Sequence, residues 1–119
     1  MKGRPELIIE AEKIYITKKN PNGMFVARII QIPKEEEKLD FVLVIQNRKN
    51  KQITYKEVLV TTDNDYYSFR LARGNLEWES LNAVSVWDSL GHKLVEVAAL
   101  TGRENYRISD EHCSAYREK

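Results

Sequence analysis

Between Leu39 and Ala72 lie three short runs, one almost wholly apolar and two in which apolar side chains alternate with polar ones, and a side-chain period of two suits a pleated strand and spoils a helix. The runs are Leu39-Asp-Phe-Val-Leu-Val-Ile45, Ile53-Thr-Tyr-Lys-Glu-Val-Leu-Val-Thr-Thr62 and Tyr66-Tyr-Ser-Phe-Arg-Leu-Ala72. Polar turns separate them, Asn47–Gln52 and Asp63–Asp65. The pattern predicts three strands, with the first apolar on both sides: Phe41, Leu43 and Ile45 on one face, Val42 and Val44 on the other. Such a strand is expected at the centre of a sheet, covered above and below.

The same reasoning extends outward. Leu7–Thr17 reads as a first strand, with Ile14 and Ile16 pointing one way and Lys13, Tyr15 and Thr17 the other. Lys18–Gly23 carries Pro21 and Asn22-Gly23, a turn signal. Met24–Ile32 is a β-branched second strand ended by Pro33. Ala83–Asp88 and Lys93–Ala99 read as a hairpin about a Gly91-containing turn, with Gly74–Ser80 an irregular crossover. The competing reading makes residues 77–90 helical, because Trp78, Leu81, Val84, Trp87 and Leu90 fall near one helix face. Ser109 can cap a short helix from Asp110 to about Glu118. The expected fold is therefore mainly β: one domain over residues 1–119, an antiparallel sandwich or partly closed barrel of about seven strands with a short C-terminal helix. The alternative is α+β.

Composition excludes more functions than it suggests. With 119 residues, the chain has room for one domain. Nineteen basic and 18 acidic residues leave a net charge of +1, so binding to nucleic acid needs a local patch rather than a bulk field. Cys113 is the single cysteine, which rules out an internal disulfide and a paired-cysteine zinc site. No apolar run reaches membrane-spanning length, and a reducing, cytoplasmic compartment is the default expectation. The five glycines are isolated, so no phosphate-cradling loop is present. No cofactor and no metal are expected.

Four groups of residues invite chemistry. Arg48, Lys49 and Lys51 form a basic hairpin tip, and with Arg70, Arg73 and the tyrosines at 55, 66 and 67 they form a candidate surface for single-stranded nucleic acid. Trp78, flanked by Glu77 and Glu79, is a candidate anchor for a protein partner, against the plainer reading that it plugs one end of the sandwich. Cys113 with His92 or His112 would make a nucleophilic pair only if the fold joined them. Asp63, Asp65 and Asp88 stand at turns, where carboxylates usually bond the backbone rather than a cation. Residues 94–108 also have helix-turn-helix-like spacing, but Arg103 and Glu111 occupy positions that need apolar residues. The leading expectation is a non-enzymatic interaction or structural module acting through a sheet edge or Trp78, with a protein partner. Nucleic acid comes second, homo-oligomerisation through half-polar edge strands stays open, and no membrane contact is expected.

Overall fold

The structure, a computed structural model, describes residues 8–109. It contains two antiparallel four-stranded sheets, each a simple meander. The first joins β1 (Lys13–Lys19), β2 (Phe25–Lys34), β3 (Lys38–Asn47) and β4 (Ile53–Asp63) in that order. A two-turn helix, α1 (Tyr66–Ala72), leads to the second sheet, β5 (Asn75–Trp78), β6 (Ala83–Trp87), β7 (Lys93–Ala98) and β8 (Arg103–Arg107). The fold is mainly β and sandwich-like, and the sheets do not close into a barrel.

One apolar cluster serves both sheets. Leu39, Phe41, Leu43 and Ile45 of β3 meet Leu76, Val84, Val86, Val95 and Val97 of the second sheet. At roughly 1.5–3 kcal/mol for each fully buried aliphatic side chain, this layer is the main source of stability. The sheets stack with their edges in line. Along one seam β5 follows β1: Lys18 Nζ reaches Asn75 Oδ1 (3.5 Å), and the Trp78 indole N–H donates to the Lys18 carbonyl (2.9 Å). Along the other, β8 follows β4: the Thr54 hydroxyl donates to the Ala99 carbonyl (2.6 Å), and the Tyr55 hydroxyl donates to Glu104 Oε2 (2.6 Å). Gly102 fits here because a Cβ would stand 1.9 Å from the Thr54 carbonyl oxygen.

Buried asparagines tie down the ends. Asn64 accepts from the backbone N–H of Ile8 and Ile9 through Oδ1 and donates to the Ile9 carbonyl (2.7 Å). Asn20 donates to the Leu81 carbonyl across the sheets (2.8 Å) and accepts from the Phe25 N–H (3.1 Å).

The structure corrects the expected elements in several places. β1 begins at Lys13 and runs to Lys19, and β2 continues through Pro33 to Lys34. Tyr66–Ala72 is a helix, not a fifth strand. Asp65 caps it by accepting from the Ser68 N–H (2.9 Å), and the Phe69 N–H donates to the Asp65 carbonyl (3.0 Å). Ser68 and Ala72 are buried and Phe69 packs on the core, which is helical spacing. Over seven residues a period of two and a period of 3.6 select overlapping sets, and the Asp65 cap decides between them.

Residues 75–78 form strand β5 rather than an irregular crossover, and 103–107 form β8, so there are eight strands among the described residues. The helical alternative for 77–90 and the helix-turn-helix spacing both fall on β5–β8. In β1 a bulge between Ile14 and Ile16 puts these two residues on opposite faces, where strict alternation had put them together. The expected C-terminal helix lies outside the described residues.

Gln31 is 1% exposed within the first sheet, and its Nε2 has no acceptor among the described residues. An unmade buried hydrogen bond costs about 1–3 kcal/mol. Gln31→Met, similar in shape, should therefore raise the melting temperature by a few degrees, a stabilisation of about 1 kcal/mol. A fall in melting temperature would show that the carboxamide is engaged.

Candidate functional site

The β1 bulge has a local consequence. Ile14 pairs with Ile30 and Ile16 with Ile29, so Tyr15 is the extra residue and turns toward the α1 end of the sandwich. Its hydroxyl donates to the Gly74 carbonyl (3.2 Å) and accepts from Arg73 Nε (2.9 Å). Gly74 permits the approach of the β6–β7 turn, since a Cβ there would stand 1.9 Å from the Trp87 carbonyl oxygen. That turn is built by Asp88, whose Oδ1 accepts from the N–H groups of Leu90 (2.9 Å) and His92 (2.8 Å). The Ser89 hydroxyl fastens it to α1 by donating to the Leu71 carbonyl (2.8 Å).

Between these elements lies an open groove of about 610 Å³, lined by Tyr15, Tyr66, Tyr67, Arg70, Leu71, Arg73, Ser89 and Leu90. Two guanidiniums and three phenol rings face it without a lining carboxylate. The Arg73 guanidinium carbon lies 5.3 Å from the ring centroids of Tyr15 and Phe69, and that of Arg70 lies 5.6 Å from Tyr66. Stacking of this kind holds a guanidinium in place and leaves its N–H edge able to meet an anion. Among the described residues no carboxylate forms an ion pair with either arginine. Tyr66 is 63% exposed, an open aromatic face beside the cations.

The other sequence candidates are placed elsewhere. Arg48, Lys49 and Lys51 stand in the turn before β4, whereas α1 follows the far end of that eleven-residue strand; the tip and the groove are separate basic sites. Arg48 Nη1 donates to the Gly23 carbonyl (2.8 Å), which links two neighbouring turns. Trp78 is half-buried against the core with its N–H bonded to Lys18, so it serves the β1–β5 seam. His92 Nδ1 lies 3.2 Å from Asp88 Oδ2 on an exposed turn. Cys113 and His112 lie outside the described residues. Asp63 pairs with Lys38 (2.6 Å), Asp65 caps α1 and Asp88 caps its turn; no group of three metal-ligating side chains occurs among the described residues. No described helix is long and apolar enough to cross a membrane.

A second polar cluster closes the opposite seam. Arg107 Nη2 donates to Glu104 Oε2 (2.7 Å) and to the Tyr55 hydroxyl (3.0 Å). Burial, reinforced by the Glu104 acceptor, pushes the Tyr55 phenol well above its ordinary range, and Glu104 raises Arg107. Hydrogen bonds from Arg107 hold the Glu104 carboxyl below the usual carboxylate range against partial burial, and Tyr55 adds to the effect. The cluster joins β4 to β8. Comparison with family models, curated proteins and solved structures finds no match to this chain.

A depressed carboxylate stabilises the fold above its unfolded value, about 4.3, and that contribution is lost as pH falls through the lower folded value. Glu104→Gln should therefore be less stable than the natural chain at pH 7, with the difference closing between about pH 5 and pH 3. Urea melts at several pH values measure it. A difference that stays constant across this window would contradict the assignment.

Proposed function

We propose that this chain is a non-enzymatic binding module that takes a single strand of nucleic acid in the groove between α1, Tyr15 and the β6–β7 turn. One observation carries the reading: Arg70 and Arg73 are stacked on tyrosine rings, unpaired with any described carboxylate, beside the exposed ring of Tyr66. Single strands are held by cations that meet phosphates and by aromatic faces that meet bases, and both are present within one groove. The arginine fork suits a phosphate oxygen pair, and a base stacked on Tyr66 would supply contact that depends little on sequence.

The interaction-module reading is kept in general form, but its contact surface moves from Trp78 to the groove, because the indole N–H of Trp78 is spent on the fold. With a net charge of +1, affinity rests on these local contacts. A cytoplasmic, reducing setting is part of the proposal and rests on the single cysteine.

Fluorescence anisotropy with a labelled ten-residue oligothymidylate at low salt tests the reading. Saturable binding is expected, and two phosphate contacts would give a log–log salt slope of about −1.4. Arg70→Gln, which removes no hydrogen bond among the described residues, should weaken binding several-fold, and Tyr66→Ala by about tenfold. Lys49→Gln should change little. Absence of binding at low salt would overturn the proposal, as would equal affinity for the Arg70 and Tyr66 variants. Binding of an acidic peptide in place of the oligonucleotide would reassign the groove to a protein partner.

A further inference from the structure

The first sheet carries a second surface, independent of the groove. Its pairing places Ile14 opposite Ile30, Ile30 opposite Val42, and Val42 opposite Val58, an unbroken apolar row across all four strands. The row stands on the face turned away from the inter-sheet core, whose cluster takes Leu39, Phe41, Leu43 and Ile45 from the other side of β3. Ile14 is 53% and Val58 43% exposed, while Val42 between them is shielded by its neighbours. A sheet with one packed face ordinarily shows water a polar one.

The flanks of the row differ in charge. On one side the next row is Arg28, Val44 and Lys56; on the other it is Ile32, Asp40 and Thr61. A two-fold axis laid along the apolar row would set row on row. It would also bring the basic flank of one copy over the Asp40 flank of the other, so that each Asp40 stands between Arg28 and Lys56 of its mate. By symmetry the match occurs twice, as an isologous interface requires. Arg28 is already held by Gln46 (3.1 Å), and Asp40 by Thr61 (2.6 Å), so the charges are partly ordered in advance.

We propose that this face is a self-association surface, at which two copies pack their first sheets together. Strand spacing and length give a footprint of roughly 600 Å² per copy. That is at the low end for specific interfaces, the size class in which weak, reversible association is common.

Sedimentation equilibrium of the full chain from about 5 to 500 μM, a range suited to weak association, tests it. A monomer–dimer equilibrium within the range is expected. Val58→Lys and Ile14→Lys, both at exposed positions, should raise the dissociation constant at least tenfold without lowering the monomer's melting temperature. Lys56→Glu should weaken the dimer as well, and high salt should weaken the natural dimer but not the Lys56 variant. A chain that stays monomeric at the highest concentration would overturn the proposal. So would a dimer indifferent to all three substitutions, which would place the contact elsewhere.

Discussion

Burial of the inner face of β3 against the second sheet is the interaction on which the remaining geometry depends. Leu39, Leu43 and Ile45 are completely buried, and so are Leu76, Val84, Val95 and Val97 opposite them. Once these layers meet, the strands of the two sheets have little freedom to slide, because a one-residue slip would turn every apolar side chain outward. The two seams follow. β5 is laid along β1, where Trp78 and Lys18 bond, and β8 along β4, where Tyr55, Glu104 and Arg107 bond. The second seam is shut by its charged cluster. The first stays open at the α1 end, where Tyr15 leaves the ladder, and the groove lies at that opening.

Strands β2, β3, β4, β6 and β7 were legible in the sequence because each is long enough, or β-branched enough, for a period of two to stand out, and Asn marks the turn between β3 and β4 and Gly91 that between β6 and β7. The misses are local. Tyr66–Ala72 is too short for its period to discriminate, and its identity rests on one capping hydrogen bond from Asp65. β8, Arg103–Arg107, is a fully exposed edge strand in which Tyr106 is the one large apolar side chain, so there is no hydrophobic alternation to find. β5 has only four residues, of which Leu76 alone is fully buried.

The candidate site was legible only in part. The sequence offers Arg70, Arg73, Tyr66 and Tyr67, but strand spacing joins them to the Arg48–Lys51 tip, which the fold places at the other end of β4. A strand would have carried those side chains along a sheet, whereas the helix gathers them on one surface beside Tyr15. Tyr15 itself carried no signal, since a bulge adds a residue without changing composition. The double-sided apolarity of β3 was visible from the start. It was read as cover on both faces, and the second face proves to be lined by its own sheet neighbours and by the row from Ile14 to Val58.

Charge is balanced over the whole chain but unevenly distributed. On the second sheet Lys93 pairs with Glu79 and Glu96 and Arg107 with Glu104, and on the first sheet Lys38 pairs with Asp63; most other lysines and arginines form no ion pair among the described residues. Against that background two aromatic-stacked arginines stand out by local arrangement rather than by number. The most direct measurement is a titration of the isotope-labelled chain with unlabelled oligothymidylate, followed residue by residue by NMR. The account predicts saturable shift changes concentrated at Tyr15, Tyr66, Arg70, Arg73 and Ser89. Changes confined to Arg48–Lys51, or none at all, would contradict it.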